Sequence, residues 1–206
     1  MNAANLINQS SGEFEYYTPK LISCLAREVM GSIDLDPASS CIANENIKAA
    51  VYYTKDTNGL AHEWSGRVFM NHPFHRGEKP CAKKCIKDKC KKPTKAKPNR
   101  RGHCITEEIP SNAQWINKLV DSYENGDVDE AIMICFASTS ETWYWPLLNY
   151  PQCFPSGRIH YFKPDGTISN SATKGSVITY LGKNVRRFAE TFAKIGRVQV
   201  PYTYIK

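Results

Sequence analysis

The run Ala131-Ile132-Met133-Ile134-Cys135-Phe136 constrains this chain more than any other stretch. Six consecutive apolar residues of this kind read as a buried strand. Shorter strand candidates recur around it: Ile33-Asp34-Leu35-Asp36-Pro37, Arg67-Val68-Phe69-Met70-Asn71, Arg158-Ile159-His160-Tyr161-Phe162, Ser176-Val177-Ile178-Thr179-Tyr180-Leu181 and Arg197-Val198-Gln199-Val200. Helical patterns lie between them. Thr18-Pro19 has the form of a helix N-cap followed by proline at the first helical position. Leu21, Ile22, Leu25, Ala26 and Val29 then recur at helical spacing, and Gly31 ends the run. Residues 43–51 and 141–148 read as further helices, and 112–123 carries Trp115, Ile116, Leu119 and Val120 on one face. Strands alternating with helices predict an α/β sheet, with the late strands as antiparallel members at one edge.

At 206 residues, 41% hydrophobic and 23% charged, the chain can bury one core of ordinary size. Its apolar runs are too short for a membrane span, and no charged flank with a following apolar stretch opens the sequence. The expectation is a cytoplasmic protein. Lys and Arg total 27 against 20 Asp and Glu, and the excess is local: residues 76–102 hold twelve basic and two acidic residues. That segment is too polar to have a core of its own, and it points to a polyanionic partner met at one place. The expected organisation is a core of 1–75 and 105–206, interrupted by an insert at 76–104.

Four of the eight cysteines, Cys24, Cys41, Cys135 and Cys153, are scattered and read as buried thiols. The others follow the pattern Cys81-x3-Cys85-x4-Cys90-x13-Cys104 inside the basic insert. Four thiolates around zinc can supply the folding energy that a missing core cannot. His103 is an alternative fourth ligand, and an unstructured basic loop with reactive cysteines is the competing reading. The lysines and arginines between these cysteines, Lys83, Lys84, Lys87, Lys89, Lys91, Lys92, Arg100 and Arg101, suit contact with DNA phosphates.

Two strand ends carry polar turns suited to a ligand. Asn71-His72-Pro73-Phe74 combines an amide, a proline-stiffened turn and an aromatic ring, a set that can hold and stack on a flat amino-substituted base. Asp34-x-Asp36-Pro37-Ala38-Ser39-Ser40 ends the preceding strand candidate, where an Asx-type turn capping the next helix is the simpler alternative. In Tyr52-Tyr53-Thr54-x-Asp56-x-x-Gly59-Leu60, the acid can accept from an adenine amino group while the leucine packs on its ring.

Together these stretches resemble the phage Dam-like family of DNA N6-adenine methyltransferases. Further similarity lies in Glu15-Tyr16-Tyr17-Thr18-Pro19-Lys20, Ser140-Glu141-Thr142-Trp143, Cys153-Phe154-Pro155-Ser156-Gly157-Arg158-Ile159 and Gly175-Ser176-Val177-Ile178-Thr179-Tyr180-Leu181-Gly182. The resemblance covers residues 13–75 and 111–197, in consistent order. It implies a Rossmann-like core that binds S-adenosylmethionine, double-stranded DNA as partner and a host cytoplasm as the place of action.

By that resemblance, Tyr17, Thr18 and Pro19 contact the methionine part of the cofactor. Asp34, Asp36, Pro37 and Ala38 occupy the first cofactor motif, and Asp56 and Leu60 frame the cofactor adenine. Asn71, His72, Pro73 and Phe74 form the catalytic tetrapeptide, with Asn71 also next to the cofactor. The chain departs from the family at His72, where proline is usual, and in the glycines missing from the first cofactor motif. These departures keep open a DNA-binding protein on an inactive methyltransferase fold, and cytosine-N4 methylation, with similar chemistry on another exocyclic amine, is the alternative among enzymes.

Overall fold

A computed structural model describes residues 17–82, 104–163, 166–168 and 174–204. In chain order the elements are α1 (Lys20–Met30), β1 (Leu35–Asp36), α2 (Cys41–Ile47), β2 (Val51–Tyr52), β3 (Gly66–Met70), β4 (Arg76–Glu78) and β5 (Ile109–Ser111). They continue with α3 (Asn112–Glu124), β6 (Val128–Phe136), β7 (Gln152–Pro155), β8 (Ser176–Leu181), α4 (Val185–Phe192) and β9 (Gly196–Gln199). Seven strands form one sheet in the order β2-β1-β3-β6-β8-β7-β9, while β4 and β5 pair as a separate ribbon. The pairs β1 with β2, β1 with β3 and β3 with β6 are parallel. The three pairs beyond β6 are antiparallel, as the late strands predicted.

The uninterrupted apolar run in β6 is explained by burial on both faces. Ile132 and Ile134 pack with Ile22, Leu25, Ala26 and Val29 of α1, and with Phe188 and Phe192 of α4. Ala131, Met133 and Cys135 pack on the other face, against Trp115, Ile116 and Leu119 of α3 and against Tyr144 and Leu147. The sheet is thus the middle of three layers, and its free edge is left for chemistry. No helix among the described residues is long and apolar enough to cross a membrane.

Several elements differ from the sequence expectation for identifiable reasons. The helix expected at 43–51 begins earlier, at Cys41, because the Ser40 hydroxyl accepts from the Ala43 N–H at 3.1 Å. It stops at Ile47: Lys48 turns left-handed, with φ 59°, and the Asn44 amide closes on Ala49 by two hydrogen bonds. Val51 is thereby freed to enter β2. The 141–148 segment coils as a tighter 3-10 helix with Pro146 inside it, since proline lacks the N–H an α-helix needs. Residues 158–162 form no strand of the sheet; Phe162 instead bridges to Tyr17. Pro19, not Thr18, occupies the cap of α1, and the Thr18 hydroxyl goes elsewhere.

The loop after β2 folds over the end of β1. The Tyr53 N–H donates to the Asp36 carbonyl at 3.0 Å, and the Ser39 N–H donates to the Tyr53 carbonyl at 2.8 Å. Gly59 then presses against Pro37, where an added Cβ would meet the Pro37 carbonyl oxygen at 1.9 Å. The obstacle is backbone and cannot rotate aside. The Gly59→Ala change is expected to destabilise the fold by about 1–3 kcal/mol, read as a lower urea midpoint at unchanged slope.

Candidate active site

The chain leaves β1 toward β2 on one side and leaves β3 toward β6 on the other. Neighbouring parallel strands whose connections diverge open a crevice beyond their carboxyl ends. Asp36 is the last residue of β1, and Asn71 directly follows Met70 at the end of β3. The two motifs singled out in the sequence therefore meet at one switch point.

Asn71 is oriented by the N-terminal segment. Its Nδ2 donates to the Thr18 hydroxyl at 3.1 Å, which turns the amide oxygen the other way. Thr18 is buried and is itself held, since the Asn46 amide donates to its carbonyl at 2.7 Å. Tyr17 is fixed by paired backbone hydrogen bonds to Phe162 at 2.7 and 3.0 Å. Its phenol oxygen accepts from the Ser40 hydroxyl at 3.1 Å, tying the Tyr17-Thr18-Pro19 stretch to the turn after β1.

Asp36 is only 3% exposed, and its carboxylate accepts from the Ala38 N–H at 3.1 Å in the expected Asx-type turn. Burial pushes its pKa up to about 7, against the smaller opposing effects of the Ala38 N–H and the Ser39 hydroxyl. A carboxyl desolvated in this way attracts hydrogen-bond donors from a ligand, so Asp36 fits a polar cofactor at the crevice. Asp34 does not join it. Its carboxylate is forked by Arg67, with Nε at 2.8 Å and Nη2 at 2.9 Å, and accepts the Arg67 N–H at 2.9 Å. The Arg67 hydrogen bonds hold the Asp34 carboxyl below its usual range. That pair staples the start of β3 to the residue before β1, so the expectation that Asp34 faces the cofactor is corrected.

Leu60 is half-buried in the cluster shared with Trp64 and Trp115, and its carbonyl accepts from Lys118 Nζ at 2.8 Å. Asp56 stands exposed at the tip of the preceding turn, where its N–H donates to the Thr54 hydroxyl at 3.3 Å. The structure brings the backbone of this loop to β1 through Gly59, but it leaves the Asp56 side chain at the surface.

His72 is 1% exposed, with its ring stacked near Trp115 at 6.1 Å and edge-on to Phe74 at 5.3 Å. Its Nε2 lies 3.2 Å from Asn112 Oδ1, and the His75 N–H donates to that same oxygen at 3.2 Å. The shared atom is an acceptor, so Nε2 carries the ring proton. Among the described residues, Nδ1 is buried with no hydrogen-bond partner. Burial pushes the His72 pKa down to about 4, which keeps the ring neutral. His75 turns its own Nδ1 to the Gly77 N–H at 3.0 Å, so the two histidines are committed to separate contacts. Among the described residues no three His, Cys, Asp or Glu side chains cluster as a metal site.

Phe74 packs on Phe136 at 4.4 Å and edge-on to Tyr161 at 6.5 Å. Lys174 Nζ stands 5.6 Å from the centre of the Phe136 ring. The Arg158 guanidinium approaches within 3.5 Å of where a Gly175 side chain would begin. Pro73 is exposed at the turn. None of Phe136, Lys174, Arg158 and Asn112 was singled out as a site residue from the sequence. Arg158 stands there only within the stretch Cys153–Ile159, and Phe136, Lys174 and Asn112 are marked only by their places next to strand and helix ends.

The insert begins and ends as a ribbon. Arg76 pairs with Ser111 and Glu78 with Ile109, and the Cys81 N–H continues the ladder to the Ile105 carbonyl at 3.0 Å. The backbone of Cys81 is thereby joined to Ile105, the residue after Cys104. The expected ligands Cys85 and Cys90, and all of Lys83, Lys84, Lys87, Lys89, Lys91, Lys92, Arg100 and Arg101, lie outside the described residues.

A mixed α/β sheet, mainly parallel, with a buried acid and an oriented Asn at adjacent strand ends, is consistent with the methyltransferase fold. The particular family follows from comparison: the chain belongs to the DNA N-6-adenine-methyltransferase (Dam) family, whose model matches residues 9–197. Enzymes of this family transfer a methyl group from S-adenosylmethionine to the N6 amine of adenine in DNA. No curated protein and no solved structure matches the chain.

Asp36 and His72 give the fold opposite pH dependences. Native Asp36 holds its proton up to about pH 7, against 3.8 in an ordinary carboxyl, so the destabilisation it causes grows between these values and is constant above them. Native His72 resists protonation down to about pH 4 against 6.5, so stability is lost as pH falls through that window. The Asp36→Asn variant is expected to be more stable than the parent at pH 8, with the gain shrinking toward nothing below pH 4. Urea unfolding at a series of pH values measures this.

Proposed function

We propose that this chain methylates the N6 amine of an adenine flipped out of duplex DNA, with the 71–74 tetrapeptide as its catalytic loop. The observation that carries the reading is the Thr18 hydrogen bond to Asn71 Nδ2, which presents the amide oxygen as an acceptor at the switch point. Asp36, Pro37 and Ala38 hold the cofactor from the end of β1, and Tyr17, Thr18 and Pro19 close over its methionine part. Leu60 and Asp56 flank its adenine. When bound, S-adenosylmethionine supplies an electrophilic methyl group on a sulfonium.

A base inside the duplex cannot present its amine to that methyl group, so flipping is required. Asn71 Oδ1 and the His72 carbonyl would accept hydrogen bonds from the two amine N–H groups and direct the nitrogen lone pair toward the methyl group. As the N–C bond forms the S–C bond breaks, S-adenosylhomocysteine leaves, and the methylated amine gives up one proton to solvent. Both acceptors also stabilise the positive charge that develops on the amine. Phe74 stacks on the base, backed by Phe136. The His72 ring is neutral and hydrogen-bonded to Asn112, so it serves as packing rather than as a base. To the chemistry itself His72 contributes only its carbonyl, which a residue other than proline can also supply.

The insert belongs to the same reading as the DNA-gripping element. Cys81, Cys85, Cys90 and Cys104 hold a structural zinc, and the hydrogen bond from the Cys81 N–H to the carbonyl of Ile105, the residue after Cys104, supports this. Its lysines and arginines contact phosphates from one flank of the catalytic loop. Lys174 offers an exposed cation near Phe136, whose ring packs on Phe74, and Arg158 offers another beside Gly175.

Labelled S-adenosylmethionine and unmethylated duplex DNA, followed by nucleoside analysis, test the reaction. Label in N6-methyladenine is expected; label in N4-methylcytosine would change the base. Asn71→Ala is expected to lower transfer by about 10²-fold or more while cofactor affinity stays within a few-fold, and parental turnover in that variant would overturn the role. For the insert, Cys81→Ser with Cys104→Ser is expected to release one zinc in native mass spectrometry and to weaken DNA binding. A metal-free parent with full activity would remove zinc from the account.

A further inference from the structure

The contact between the catalytic loop and the first residue of α3 has no part in the chemistry described so far. Asn112 sits where the insert ribbon ends and α3 begins, directly after Ser111, which pairs with Arg76 across the ribbon. Its backbone N–H donates to the His75 carbonyl at 2.7 Å. Its Oδ1 accepts from the His75 N–H and from His72 Nε2, both at 3.2 Å. One residue thus makes three hydrogen bonds to the segment immediately around and after the tetrapeptide. Trp115, one turn further along α3, presses on the same His72 ring.

The start of α3 is rigid on its own account. Ser111 and Gln114 form a reciprocal capping box, and Gln114 also donates to Glu108 at 3.1 Å. The loop is therefore fastened to a stiff point, and that point is continuous with the root of the basic insert. Proline at position 72 would restrict the loop through its own ring. Histidine leaves the backbone freer, and the constraint must come from what the imidazole touches.

Resting on the function proposed above, we propose that Asn112 is a positioning residue: it locks the His72 ring and the His75 backbone to the insert ribbon, and so sets the placement of Asn71 and the His72 carbonyl. Because misplacement by about 1 Å can cost on the order of 10²-fold in rate, loss of the lock shows in turnover before it shows in binding.

The test uses the full-length protein, with Asn112→Ala, Asn112→Asp and the double variant Asn112→Ala with His72→Pro. Asn112→Ala is expected to lower kcat about tenfold or more, with the affinities for S-adenosylmethionine and DNA changed less than about threefold. Asp retains an acceptor for both N–H groups, so Asn112→Asp is expected to keep kcat within a few-fold of the parent. In the double variant the proline is expected to restore much of the lost kcat, which a merely structural role for Asn112 would not do. An Asn112→Ala enzyme with parental kcat overturns the proposal, as does equal loss of kcat, cofactor affinity and melting temperature without rescue by proline.

A second readout is independent of turnover. Nitrogen-15 spectra of labelled histidine are expected to show His72 protonated at Nε2 in the parent and altered in Asn112→Ala. An unaltered His72 signal overturns the lock. A parent that shows the Nε2–H signal but transfers no methyl group to DNA would overturn the catalytic reading and leave the lock standing.

Discussion

Parallel pairing of β3 with β1 on one side and β6 on the other is the constraint from which the rest of this molecule follows. The pairing places the ends of β1 and β3 side by side while their connections run in opposite directions. Burial on both faces holds it there: Val68, Phe69 and Met70 of β3 are all inaccessible, and so are Ala131 to Ile134 along β6. With both faces committed to helices, polar chemistry is confined to the carboxyl edge. Asp36 and Asn71 meet at that edge because two short strands end there.

Electrostatics at the edge is governed more by desolvation than by ion pairs. Asp36 is raised and His72 lowered by the same cause, loss of water, and both shifts favour the neutral form. The strong ion pair of the region, Asp34 with Arg67, lies at the start of β3 and serves the fold. A crevice with oriented acceptors suits transfer to an exocyclic amine, which needs placement and stabilisation of developing charge more than a strong base. The missing proline at position 72 becomes intelligible in this setting. Its mechanical task passes to a buried imidazole clamped between Asn112 and Trp115.

Much of the architecture was legible in the chain, for reasons tied to particular residues. The run at 131–136 and the strand at 176–181 could be read because burial on both faces leaves continuous apolar sequence; β8 spans Ser176–Leu181 as expected. α1 was legible from its apolar spacing, although Leu21 turned out to be exposed. β1 was read within Ile33–Pro37, while the two-residue β2 and the ribbon strands β4 and β5 are too short and too polar for any periodicity. The segment at 158–162 had the composition of a strand, but its backbone partner is Tyr17, near the other end of the chain. Thr18-Pro19 looked like a cap because a hydroxyl before proline usually is one; the hydroxyl found Asn71 instead.

The sequence by itself determined the class of fold, the ordered motifs that mark the Dam family and the two polar strand ends where chemistry belongs. These are properties of local pattern, carried by neighbouring residues and by the order of segments. Tertiary structure alone decided which side chains complete the site. Thr18 reaches Asn71 across 53 positions and His72 reaches Asn112 across 40, while Asp34 is drawn away by Arg67 across 33. Such pairings depend on how far the strands run and where their crossovers return. A hydroxyl, an imidazole or a carboxylate carries no local mark of the partner that packing will bring to it.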